Sequence, residues 1–169
     1  MQVTKRFEFS YGHCLPNHSG KCRNLHGHNA VLEVTVSGDI HPLPGTSSEG
    51  MLIDFSELKR LVNWSVVDVW DHKMLVAGDE PIVEAFVLYE NVKERIGLQD
   101  QLVNVGCRTT AENLAKAAYK LIVEGIETNY GRGLVLNCVR FFETPTSWAE
   151  YTNDDWTADG FRELDIEEE

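Results

Sequence analysis

Two stretches near the start of the chain alternate apolar and polar residues with a period of two, and each carries histidine at one end. From Val3 to His13, Phe7, Phe9, Tyr11 and His13 fall on one face and Arg6, Glu8 and Ser10 on the other, the pattern of a half-buried strand. The second, from about His26 to Val36, sets His26, His28, Ala30, Leu32, Val34 and Val36 opposite Asn29, Glu33, Thr35 and Ser37. If these strands pair as neighbours, all three imidazoles meet at one end of a shared inner face.

Beyond them the pattern changes. Residues 37–50 are dense in turn formers and read as a loop. Asp54, with Glu57 three positions on, forms a capping box for a helix whose buried stripe is Phe55, Leu58, Leu61, Val62, Val66 and Val69, ending near Trp70. Asp71 and His72 follow directly. Asp79-Glu80-Pro81 opens a second helix that runs to about Ile96 and stops at Gly97. Gln101 to Val105 reads as a short extended piece. Thr109 with Glu112 is a further capping box, for a helix from about Thr110 to Glu124 with Leu114, Ala118, Leu121 and Ile122 as its stripe. Leu134 to Glu143 is a strand with Val135, Val139 and Glu143 on one face, and Trp148 to Tyr151 returns as its hairpin partner. The order β-β-α-(α)-α-β-β describes an α+β chain with an antiparallel sheet.

Length and charge narrow the function. A chain of 169 residues with 43% apolar content suits one domain with a real core. A net charge of −12 argues against nucleic-acid or anionic-membrane partners, which most of the surface would repel. Part of that charge lies in an acidic C-terminal tail, about 163–169. There is no signal-like opening and no bilayer-length apolar run, so the expected compartment is the cytoplasm, with the thiols of Cys14, Cys22, Cys107 and Cys138 reduced.

The chemistry gathers between Cys22 and His28. His26 and His28 project from one strand face, His13 lies on a converging register, and Cys22 sits four residues before His26. Such a set suits a metal, zinc first, because neutral imidazole is a good ligand and zinc imposes no d-electron geometry. If Cys22 joins the histidines the sphere is closed and structural; if not, a position stays open for water or substrate. His18 and His41 lie in polar loops and read as solvated. Asp71-His72 is either a helix-end pair favoured by the dipole or an oriented acid-base unit. Glu143 either turns to water or anchors the N–H edge of a ligand.

The ordered set Phe9-Ser10-x-x-His13, Cys22-x-x-x-His26-Gly27-His28, Gly50-Met51-x-x-Asp54-Phe55-x-x-Leu58-Lys59, Asp71-His72, Thr110-x-Glu112-Asn113-Leu114-Ala115 and Phe142-Glu143-Thr144 resembles the 6-pyruvoyltetrahydropterin and 6-carboxytetrahydropterin synthase family. The resemblance runs from about Phe7 to Tyr151. It implies a tunnelling fold, with small antiparallel four-stranded sheets, helices on one face, joined into a barrel by oligomerisation, commonly a homohexamer. It implies one catalytic Zn²⁺ per subunit on His13, His26 and His28, Cys22 as general base, and Asp71 with His72 as a relay that a neighbouring chain can supply. Glu143 would hold the pterin edge, with Thr110 and Glu112 assisting.

The implied substrate is 7,8-dihydroneopterin triphosphate. Three residues between the cysteine and His-Gly-His resemble the carboxy branch, which releases acetaldehyde and triphosphate and feeds 7-deazaguanine (queuosine-type) synthesis; the alternative is the pyruvoyl branch, which only eliminates triphosphate. A non-catalytic, zinc-stabilised binding module is a third reading. Three features depart from the family pattern: a longer segment from about Val76 to Val105, Trp70 where Leu is usual, and an acidic surface facing a triphosphate. Lys21, Arg23, Lys73 and Arg108 are candidates to offset that charge.

Overall fold

A computed structural model describes residues 1–84 and 101–160, without the side chain of Arg132. The remainder of the helix expected from Pro81 to Ile96, and the acidic tail, lie outside the described residues. Strands β1 (Gln2–His13), β2 (His26–Gly38), β3 (Lys73–Val76), β4 (Leu102–Asn104), β5 (Leu134–Thr144) and β6 (Ser147–Thr152) form one sheet in the order β4-β3-β1-β2-β5-β6. The expected antiparallel four-stranded unit, β1-β2-β5-β6, is present; β3 and β4 extend it through parallel pairing. The short Lys73–Val76 run shows no alternation long enough to be read as a strand. Its Leu75 and Val76 are buried, as in strands covered on both faces.

The β1–β2 ladder pairs His13 with His26 and Tyr11 with His28. One face of the sheet carries Phe7, Phe9, Ala30, Leu32, Val34, Val36, Val139 and Phe141 into the core. The other carries Arg6, Glu33, Arg140 and Glu150 as a ladder of ion pairs. Val135, expected inside, is exposed, while Leu134 and Leu136 are buried. The cause is a register shift opposite Thr35/Val36, where Asn137 is the extra residue; it inverts the parity of β5 ahead of Cys138.

The sheet is covered by α1 (Phe55–Val62), a π-helical turn (Asn63–Val67), α2 (Asp68–Trp70) and α3 (Ala111–Tyr130). Asp54 caps α1 by accepting from the Ser56 N–H at 2.6 Å, which replaces the expected reciprocal box with Glu57. The π turn explains one misplaced core residue: its extra residue rotates the helix face, so Val67 and Trp70 are buried whereas Val69 is exposed. Phe55, ahead of that turn at the start of α1, is also exposed. Gly125 of α3 meets α1 and this turn so closely that a Cβ there would lie 2.8 Å from Leu61 Cδ1 and 3.1 Å from Ser65 Oγ. α3 continues to Tyr130, beyond the expected Glu124, and burial of Ile126 accounts for the extra turn. A short α4 (Asn153–Ala158) follows β6, opened by a capping box between Thr152 and Asp155.

Candidate metal centre

Backbone pairing brings the three histidines together. The Nε2 atoms of His13 and His26 lie 3.1 Å apart, and one ring nitrogen from each of His13, His26 and His28 falls within 4.8 Å of the others. Their orientation is set from behind. His13 Nδ1 lies 2.7 Å from the Thr109 carbonyl, and His26 Nδ1 lies 2.8 Å from the Asn24 carbonyl. A carbonyl only accepts, so each Nδ1 carries the proton and each Nε2 presents a bare lone pair. Two lone pairs 3.1 Å apart repel, and His28 Nε2 is buried without a hydrogen-bond partner among the described residues. This is the donor set a divalent cation satisfies, with the outer hydrogen bonds expected of ligating histidines.

The local charges agree. Burial first, against the opposing Thr109 hydrogen bond, and then the neighbouring His26 and His28 together lower the His13 pKa to about 4. Burial also lowers His28, against the Glu143 carboxylate. Neutral imidazole, the ligating form, is therefore favoured. Glu143 Oε1 lies 3.6 Å from His13 Nε2 and 3.7 Å from His28 Nε2. The Tyr11 ring packs on both histidines, and its buried hydroxyl has no hydrogen-bond partner among the described residues.

The other expected residues divide. Cys22 sits in a 3-10 turn (Lys21–Arg23) and does not join the histidine group within 4.8 Å. Asp71 accepts from the Ser10 N–H at 2.9 Å and pairs with His72 Nδ1 at 2.8 Å. That pair stands on the β3 edge of β1, while His26 and His28 stand on the β2 edge. His72 is 81% exposed, with φ at 58°. It borders a groove of about 320 Å³ lined also by Ser10, Lys73, Met74 and Gln101, and shares no hydrogen bond with the histidine trio. Within one chain, then, Asp71 and His72 are not joined to the centre. Glu112 is exposed on the first turn of α3.

Thr110, rather than Thr109, caps α3 through the Asn113 N–H at 3.4 Å. Thr109 is fully buried; its carbonyl serves His13, and its hydroxyl donates to the Cys14 carbonyl at 3.3 Å. Sequence gave no sign of this role, because a backbone carbonyl leaves no side-chain signature. Arg108, a candidate for the triphosphate, is instead paired with Asp79 and Glu80.

A curled sheet, packed helices and convergent imidazoles define an enzyme of the tunnelling-fold class. The particular assignment comes from comparison: the profile of the 6-pyruvoyl tetrahydropterin synthase family matches residues 2–154, and the chain belongs to that family. It is 33% identical over 158 residues to the 6-carboxy-5,6,7,8-tetrahydropterin synthase of Haemophilus influenzae, covering 89% of this chain and 97% of that protein. The protein of the same name from Aquifex aeolicus is 29% identical over 167 residues, covering 89% and 96%. Among solved structures, an uncharacterized protein from Wolinella succinogenes superimposes with a TM-score of 0.70 at 24% identity, covering 90% of this chain and 98% of that one. The 6-pyruvoyl tetrahydropterin synthase of Caenorhabditis elegans gives 0.63 at 22%, covering 90% and 95%. These relationships make the chain a pterin synthase-type lyase. No helix among the described residues is long and apolar enough to cross a membrane.

Proposed function

We propose that the chain is a zinc-dependent lyase that converts 7,8-dihydroneopterin triphosphate to 6-carboxy-5,6,7,8-tetrahydropterin, releasing acetaldehyde and triphosphate, in 7-deazaguanine synthesis. The observation that carries this reading is the cluster of three imidazoles, two of them presenting bare Nε2 lone pairs, with Cys22 outside it. Bound zinc supplies Lewis acidity toward the substrate's side-chain hydroxyls and the charge that develops as a proton leaves carbon. His13, His26 and His28 hold it. Cys22, in no disulfide and outside the histidine group, would take the proton as its thiolate. The Glu143 carboxylate beside His13 and His28 accepts from the amino-pyrimidine edge of the pterin and fixes its distance from the metal. Thr110 and Glu112 assist at the helix start.

Asp71 and His72, remote from the trio of their own chain, act as the relay in a neighbour's site, so the active unit is a homo-oligomer, a homohexamer on this reading. Among the described residues β4 and β6 are the edge strands of the sheet, and such edges are normally covered, which supports assembly. The names of the Haemophilus and Aquifex relatives, and the three-residue spacing from Cys22 to His26, favour the carboxy product. The setting is cytoplasmic.

The test is mass spectrometry of the products formed from 7,8-dihydroneopterin triphosphate by the zinc-loaded protein. Acetaldehyde and the carboxypterin are expected in equal amounts. Substrate consumed with triphosphate eliminated but no acetaldehyde would assign the pyruvoyl reaction instead, and no turnover by a zinc-loaded, folded protein would leave a binding module.

A further inference from the structure

The start of the segment after Val76 has no part in the site described above, yet it carries a buried charge. Glu80 is 2% exposed. Its Oε1 accepts from Arg108 Nη1 at 3.3 Å, and its Oε2 is buried with no hydrogen-bond partner among the described residues. Arg108 Nη2 also donates to Asp79 Oδ2 at 2.9 Å. A buried carboxylate is costly unless a cation stays beside it, so the pair constrains where the Arg108 backbone can lie.

That backbone adjoins the metal centre. Arg108 precedes Thr109, whose carbonyl takes the His13 Nδ1 proton at 2.7 Å. The Arg108 carbonyl accepts from Asn113 Nδ2 and from the Thr110 N–H, both at 2.9 Å.

We propose that Glu80 is a positioning residue for His13: its buried carboxylate, acting through Arg108, fixes the loop whose Thr109 carbonyl aims His13 Nε2 at the other two imidazoles. This rests on reading the trio as a metal site. The physical ground is that the outer hydrogen bond of a ligating histidine sets both its tautomer and its ring plane. With His13 and His26 nitrogens held 3.1 Å apart, the loop must impose an orientation that free rings would relax. The segment's first turn, at residues 81–84, then anchors a carboxylate that tunes the metal centre.

The experiment uses the full chain carrying Glu80→Gln, Arg108→Met, Arg108→Lys or the Glu80→Gln/Arg108→Met pair. Zinc dissociation constants are measured by competition with a chromophoric chelator, at a temperature where circular dichroism shows each variant folded. Glu80→Gln and Arg108→Met are each expected to weaken zinc roughly tenfold, the double variant no more than the worse single, with Arg108→Lys recovering part of the loss. In metal-free protein the His13 Nδ1 proton, protected in the wild type, should exchange faster in Glu80→Gln. Wild-type zinc affinity and unchanged protection in all variants, even with lowered melting temperatures, would overturn the proposal and leave a purely structural ion pair. If Glu80→Gln does not fold, the two Arg108 variants decide by the same criterion. If wild-type and His13→Ala proteins bind zinc alike, the metal reading itself fails and the inference falls with it.

Discussion

Replacing His28 by Leu should have different consequences with and without metal. In the metal-free protein His28 Nε2 is buried and has no hydrogen-bond partner among the described residues, and such an atom costs about 1–3 kcal/mol. Leucine removes that atom while keeping much of the apolar contact with the Tyr11 ring. The hydrogen bond that His28 makes to the Glu143 backbone is lost at the same time, so His28→Leu should stay close to the metal-free wild type in stability. With zinc the two diverge. At free zinc about 100-fold above its dissociation constant, the wild type gains about 2.7 kcal/mol by linkage. A chain of 169 residues has an unfolding entropy of roughly 0.35 kcal/mol per kelvin, so the gain corresponds to about 8 °C in melting temperature. The variant, with two imidazoles left, should lose most of that shift. Scanning calorimetry at fixed protomer concentration, with chelator and with zinc, reads both arms. A zinc-induced rise that survives in His28→Leu, or a metal-free variant several kcal/mol less stable than wild type, would refute the reasoning.

Three further outcomes follow from the same geometry. Cys22→Ala should retain full zinc content, measured by atomic absorption, while turnover of the pterin triphosphate falls about 10²- to 10⁴-fold; loss of the metal would make the thiol a ligand. Gly125→Ala sets a Cβ 2.8 Å from Leu61 Cδ1 and 3.1 Å from Ser65 Oγ; overpacking of about 1–3 kcal/mol outweighs the helical gain of about 0.5–1 kcal/mol, so urea denaturation should show a net loss and no change in zinc affinity. The Cys138 thiol is pushed up to about 12 by burial first and then by Glu150. The unfolded thiol ionises near 9, so the native state's preference for the neutral thiol contributes stability below that pH and loses it as pH rises toward 12. Cys138→Ala should flatten that alkaline decline relative to wild type in parallel melts; identical slopes would contradict it.

The histidine geometry was legible because alternation fixes side-chain faces. Once Phe7, Phe9 and Tyr11 are assigned inward, His13 must follow, and the His13–His26 pairing completes the cluster. What escaped the sequence was structure that depends on partners. The π turn that exchanges Val69 for Trp70 arises where α3 packs against it. The bulge at Asn137 depends on the β2 register, and β3 is too short to carry its own pattern. Thr109 and Glu80 act through a carbonyl and a buried ion pair, neither of which spacing encodes. Asp71 and His72 were visible as a pair, but their side of β1 was not.

The most direct measurement is X-ray absorption at the zinc edge of the fully loaded, substrate-free enzyme. Three nitrogen scatterers at about 2.0–2.1 Å, with the remaining coordination from oxygen, are predicted. A sulfur shell at about 2.3 Å would place Cys22 on the metal and contradict the open site on which the proposed chemistry depends.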